Sequence, residues 1–367
     1  MKILTRYILR EFCIPLFYCM AGFVSIYLLF ELFGSFSRLM AAKPGMHAAA
    51  AYFAGYFAPY FQWMAPACLM LATLYTMWRF CRNSEVVAMR AGGVGFFAIV
   101  KPLLAVAILV ACAVAWVNES YMPDCSSWAR RFKDARFDAQ KMAEANRVLY
   151  VNGTRTWQAD MPRARRASEL SNVKVTIRPP SPPADPAERR ERRITAARAV
   201  YEGGRWFFYA PRVVDSVKGV ETAAKDVPEG AGLLCFPEFD EKPEAMLLEN
   251  YDWMYMSTDD RFAYLATHPN LEPATRRRYL YDAFAQLVSP LACLVITLFA
   301  IPMGVATGRQ SVFKGIVGAL GLFFAFYALT ILCMVLAARG MLAPLPAACI
   351  PDLLFFAIGC RLFWKNR

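Results

Sequence analysis

Catalysis and metal binding need polar groups within reach of one another, and this sequence offers few such sets. Its two histidines, His47 and His268, stand far apart and in no metal-ligand spacing. Neither H-E-x-x-H nor G-x-S-x-G occurs, which excludes zincin and nucleophile-elbow chemistry. The nearest thing to a phosphate loop, residues 304–311 (GVATGRQS), lacks the GKS/T ending and joins two apolar runs. Cys125 and Cys235 fall outside the apolar runs and their edges. A disulfide between them suits an oxidising compartment, while cysteine is equally an ordinary small apolar filler. Nothing here looks catalytic, and no resident cofactor or metal is expected. Four residues stand out by position instead. Arg38 and Lys43 follow the first long apolar run, where they are suited to grip phosphates or to anchor at an interface. Glu31 and Asp352 lie inside apolar runs, where a carboxylate is costly unless something pairs with it.

The elements that position these residues are membrane spans. The chain has 367 residues, 57% of them hydrophobic and 19% charged, with a formal net charge of +12. Soluble domains carry about 25% charged residues. A fully soluble protein and a disordered one are both excluded. Windows 12–33, 96–117, 283–305, 315–336 and 346–363 approach or exceed the roughly 20 apolar residues that cross a bilayer core. A sixth span is expected within 48–80, a run too long for one straight crossing. Pro59 is expected to divide it into an interfacial segment and a span over 60–80. The first run is too long for a secretory leader and lacks a small-residue cleavage site, so it too reads as a span. Basic residues collect on one side of these spans: Lys2, Arg6 and Arg10, then Arg79, Arg82, Arg90 and Lys101, then Arg309 and Lys314, then Arg361, Lys365 and Arg367. They face only Glu11 and Glu85. By the positive-inside rule both termini are cytoplasmic and the long segment 118–282 is external, hence periplasmic in a Gram-negative envelope. The basic excess therefore belongs to the inner membrane face and does not imply nucleic acid.

Segment 118–282 has a mixed-charge composition suited to a domain of its own. Residues 124–147 are charge-rich and read as a helix continuing the third span outward. The period then shortens: 147–151, 154–159, 173–178, 194–201, 205–210, 213–217 and 233–239 read as strands. Glu202-Gly203-Gly204 between two of them is a hairpin signal. Ser257 is placed to cap a short helix. Residues 179–193, rich in proline and charge, read as a loop. Evenly spaced short strands predict an antiparallel sandwich or jellyroll. The fold class is thus a polytopic α-helical membrane protein with six transmembrane helices and an inserted periplasmic antiparallel β-jellyroll-like domain. Its boundaries fall at 1–117, 118–282 and 283–367.

Arg6-Tyr7-Ile8-Leu9-Arg10-Glu11, residues 82–93 and residues 301–309 form three local patterns that, in this order, resemble the LptF/LptG family of lipopolysaccharide-export permeases. Arg6-Tyr7-Ile8-Leu9-Arg10-Glu11 is similar to the family's entry into its first span. Residues 82–93 (RNSEVVAMRAGG) are similar to its cytoplasmic S-E segment, the most specific of the three. Ile301-Pro302-Met303-Gly304, followed by Gly308-Arg309, resembles the exit of the fourth span. The residues do not choose between the LptF and LptG sides. Glu31 stands where some members carry a basic residue, and only Arg38 of the expected basic set is in place.

The resemblance implies a non-catalytic permease subunit of an ABC transporter, pairing with a second LptF/LptG-type permease. It also implies a cytoplasmic LptB-like ATPase dimer, which would bind the ATP and magnesium, and a single-span LptC-like partner with its own periplasmic jellyroll. The substrate implied is lipopolysaccharide or a lipid A-type glycolipid. Residues 84–91 would be the coupling helix seated in the ATPase, with Glu85, Val87, Met89 and Arg90 at the contact. Ser84 is suited to cap it, Glu85 to complement its dipole, and Gly92-Gly93 to end it. Arg38 and Lys43 would meet lipid phosphates, and Asp352 would satisfy backbone freed by Pro351. A lipid sheltered along its path suits such a chain, since exposing acyl chain to water costs about 0.8 kcal/mol per CH₂. Two rivals remain at this point: a membrane enzyme that modifies envelope lipids, and a scaffold without transport function.

Overall fold

The computed structural model describes residues 2–135, 137, 147–152, 154–160, 168–178, 190–217, 220–223, 232–268, 271–307 and 312–365. It divides into two compact units, Met1–Ala129 with Met254–Arg367, and Arg130–Trp253. The compositional boundaries at 118 and 282 enclose more chain than the second unit. The flanking residues stay helical and pack within the first unit.

The first unit opens with α1 (Lys2–Ala42), α2 (Met46–Arg82), α3 (Glu85–Ala91) and α4 (Phe96–Trp116). A π turn at Val117–Tyr121 then carries the chain into α5 (Met122–Asp134), which crosses the unit boundary as the predicted continuation of the third span. The second unit contributes α6 (Pro243–Glu249). The first unit then resumes with α7 (Thr258–Thr267), α8 (Pro273–Thr307), α9 (Val312–Ala338) and α10 (Pro344–Lys365). Among the described residues, five helical stretches are long and apolar enough to cross a membrane: Ile3–Ala42, Phe96–Asp134, Pro273–Val305, Leu320–Ala338 and Pro344–Trp364.

α2 departs from expectation. It runs unbroken for 37 residues through Pro59 and Pro66, so Pro59 does not divide it. Proline removes one N–H and orphans the carbonyl four residues earlier, and a helix survives this when another donor arrives. For Pro59 that carbonyl is Gly55 O, which accepts a hydrogen bond from Ser126 Oγ of α5 at 2.8 Å. The same device recurs. Pro15 frees Glu11 O, which accepts from Thr76 Oγ1 at 3.3 Å, and Pro290 frees Gln286 O, which accepts from Ser289 Oγ at 3.0 Å.

α2 packs against α1, α4, α8 and α9. Two glycines permit its closest approaches. A Cβ at Gly55 would stand 2.4 Å from Cys125 O, and one at Gly304 would stand 2.6 Å from Met77 Cβ. Small residues let helix backbones meet where lipid supplies no hydrophobic drive for association. The Ile301–Gly304 pattern thus has a packing role, with Ile301 fully buried. Gly308 and Arg309 lie outside the described residues.

The second unit is an antiparallel sheet of β1 (Arg147–Asn152), β2 (Arg155–Asp160), β3 (Glu169–Ile177), β4 (Arg190–Glu202), β5 (Arg205–Tyr209), β6 (Arg212–Val217), β7 (Val220–Ala223) and β8 (Leu233–Phe236). The path β1-β2-β3-β4-β5-β8 forks at β4, whose first half pairs with β6 and whose second half pairs with β5. Gly203 and Gly204 both have positive φ, at 59° and 83°, and join the Glu202↔Arg205 pair in the predicted two-residue hairpin. Of the expected loop 179–193, residues 190–193 already belong to β4, and 179–189 lie outside the described residues. Alternation on β5 turns Trp206 and Phe208 inward to meet Trp157 and Phe239, all at 1% exposure or less. Trp206 Nε1 donates to Glu241 O at 2.7 Å. Asn250 closes the edge of β1, accepting from Leu149 N and donating to Leu149 O. Cys125 and Cys235 are both free thiols, one on α5 and the other on β8.

Candidate functional site

The residues singled out by sequence fall at three places in the helical unit. The first is the corner where α2 turns into α3. The two-residue link requires a left-handed step, taken by Ser84 at φ 58°. In that conformation Ser84 makes no side-chain cap hydrogen bond, contrary to the capping expectation. The other end of α3 follows the expected pattern. Gly93 adopts φ 82°, its N–H reaches Arg90 O, and the Val94 N–H reaches Met89 O, which together form a Schellman stop.

α3 divides its side chains between two faces. Val86 is buried, and Met89 is half-buried against the same core, which includes Ile8, Phe12, Phe80 and Phe96. Val87, Ala88, Arg90 and Ala91 face outward, Val87 at 64% exposure. Of the four expected contact residues, Val87 and Arg90 are therefore exposed, while Met89 is largely taken by the chain itself. Glu85 is held as well. Its Oε2 accepts from the Tyr7 hydroxyl at 2.9 Å, and its Oε1 accepts from Asn83 Nδ2 at 3.2 Å. One turn along α1, Glu11 forms an ion pair with Arg79 of α2.

Sequence reading missed Tyr7, Glu11, Arg79 and Asn83 as participants. The signal was present in the first motif. Tyr7, Ile8, Glu11 and Phe12 recur at helical spacing on one face, and Ile8 and Phe12 are almost fully buried.

The second place is the far end of α1. Arg38 and Lys43 are exposed, and among the described residues neither makes an ion pair. Lys43 sits just beyond the helix in the left-handed region, φ 43°, with its N–H on Leu39 O. Glu31, by contrast, turns inward at 8% exposure. Its Oε1 accepts from Ser35 Oγ at 2.7 Å and from the Tyr52 hydroxyl of α2 at 2.5 Å. The carboxylate left open by sequence is thus a tie between α1 and α2.

The third place is α10. Asp352 follows Pro351, and its Oδ1 is buried without a hydrogen-bond partner; an ionised carboxylate only accepts, so it has no donor for the carbonyl that Pro351 frees.

Among the described residues this geometry contains no nucleophile–base pair. It contains a short helix with an exposed apolar and cationic face, pinned to the end of the first span. A search of curated proteins finds no match. The family described as lipopolysaccharide export system permease LptF/LptG matches residues 6–365, nearly the whole chain. Its members are transporter permease subunits rather than enzymes, which agrees with the apolar helices found here. The chain belongs to the LptF/LptG family of lipopolysaccharide-export permeases.

Proposed function

We propose that this chain is one permease half of an ABC exporter in the inner membrane. It would extract lipopolysaccharide, or a related envelope glycolipid, and pass it to a periplasmic β-jellyroll bridge toward the outer membrane. The observation that carries this reading is the family match over residues 6–365, which spans both helical segments and the inserted sheet.

In this reading α2 is the sixth span. Its 37 residues extend about 55 Å, longer than a bilayer core of about 30 Å, so one end stands clear of the hydrocarbon. Both termini and α3 are cytoplasmic, and the forked sheet is a periplasmic jellyroll-like domain. The exposed Val87 and Arg90 give α3 the character of a docking surface for an LptB-like ATPase dimer. That dimer would hold the ATP and magnesium, while this chain supplies no cofactor site. A second LptF/LptG-type permease and a single-span LptC-like jellyroll protein complete the assembly. Arg38 on the last turns of α1 and Lys43 just beyond it, both exposed, supply donors for lipid phosphates.

Co-purification in mild detergent tests the reading. An ABC ATPase and a second six-span permease should come down with this chain. Glu85→Lys should insert normally but retain less than a tenth of the ATPase, because a charge-assisted contact is worth about 1.5–3 kcal/mol. Recovery of the wild-type chain alone, or as a homodimer, would refute the proposal.

A further inference from the structure

α3 has seven residues, too few to be stable as an isolated helix, and its first turn lacks a side-chain cap. Its orientation must therefore come from what it touches. Part of that is apolar, through Val86 and Met89. The rest is polar and comes from α1. Tyr7 stacks on Phe80 with ring centroids 6.0 Å apart and an interplanar angle of 28°, and its hydroxyl donates to Glu85. One turn on, Glu11 takes Arg79 through its carboxylate and Thr76 through the carbonyl that Pro15 frees. Two successive turns of α1 are thus tied to the last turns of α2 and to the first residue of α3.

We infer that Tyr7, backed by the Glu11–Arg79 pair, is a positioning residue that fastens α3 to the start of α1, so that a displacement of α3 is delivered directly to the first span. The inference rests on the docking role proposed above for α3. A carboxylate offers about four acceptor sites. Glu85 commits two of them to Tyr7 and Asn83, which leaves capacity for a cationic group of the ATPase while the side chain stays oriented. Tyr7 would then act through Glu85 and need not touch the ATPase.

Tyr7→Phe isolates the hydroxyl, since the ring can still stack on Phe80. Two readouts are expected to move. Amide exchange in the 84–93 segment of the purified chain in nanodiscs should accelerate about tenfold, as expected for loss of a hydrogen bond to a charged group. In the assembled complex, the ATPase should remain bound while lipid-stimulated turnover falls by a similar factor, in kcat rather than in KM for ATP. Tyr7→Phe combined with Glu85→Gln should be no worse than the more severe single change, because both act through one contact. The inference is overturned if exchange is unchanged, if turnover is unchanged with ATPase bound, or if the two substitutions multiply. Failure of the wild-type chain to bind any ATPase would instead remove the docking reading, with amide exchange alone then deciding whether Tyr7 fastens α3.

Discussion

The helical unit turns many aromatic side chains outward, whereas the β unit gathers most of its large rings into one core. On the helical unit, Phe17, Phe30 and Phe33 stand at 70–80% exposure. In the β unit, Trp157, Trp206, Phe208 and Phe239 are sealed to 1% or less, with Trp157 and Trp206 ring centroids 5.2 Å apart. The contrast follows from the solvent. Lipid dissolves a phenyl ring about as readily as a protein core does, so rings on the lipid side need no burial, while Phe12, Tyr52, Phe80 and Phe96 still pack inside the unit. The helical unit adds to its apolar core the close backbone approach at Gly55 and Gly304, and hydroxyls that satisfy carbonyls freed by proline. A sheet built on aromatic exclusion gains stability from burial itself, supplemented by ring geometry.

The largest effect is expected where exclusion operates. Trp206→Ala should cost about 3–5 kcal/mol of β-unit stability, with a further loss from the orphaned Glu241 carbonyl. Limited proteolysis within 190–217 against temperature measures it, and a loss under 1 kcal/mol would break the contrast. A middle-sized effect is expected where backbones meet. Gly55→Ala places a Cβ against Cys125 O, which is backbone and cannot swing aside, so α2 and α5 must part. Overpacking of this kind costs about 1–3 kcal/mol. A lowered melting temperature in detergent, with the β unit's proteolysis profile unchanged, is the expected result. Wild-type melting would show that close approach is not what holds the bundle. The smallest effect belongs to the exposed rings. Phe30→Leu should change helical-unit stability by no more than about 0.5 kcal/mol, and a larger loss in the purified chain would show that this ring packs after all.

Much of the fold was legible in advance because its causes are local. Run length against bilayer thickness marked the apolar helices, period-two alternation marked the strands, and Gly203-Gly204 marked a hairpin whose two linking residues both take positive φ. Ser257 caps α7 as read, accepting from Asp260 N at 3.2 Å. Ser84 looked equally suitable and does not cap. Its conformation is dictated by the tightness of the α2–α3 link, a demand from outside its own helix. The candidate site was legible as a segment but not as a surface. The motif around Glu85 was visible, yet nothing local said that Met89 would turn inward or that Val87 would turn out.

By itself, then, the sequence determined the solvent of each segment, the type of its secondary structure and the family to which the chain belongs. Tertiary structure alone decided that Pro59 leaves α2 intact, that Glu31 bonds Ser35 and Tyr52, and that Tyr7 reaches Glu85. The physical reason is range. Hydrophobic periodicity and turn propensity act over a few residues and are written in consecutive positions. Ser35 and Ser289 act within their own helices, but the other donors arrive from a different helix, 78 residues away for Tyr7 and Glu85 and 71 for Ser126 and Gly55. Their arrival is fixed only once the helices have packed.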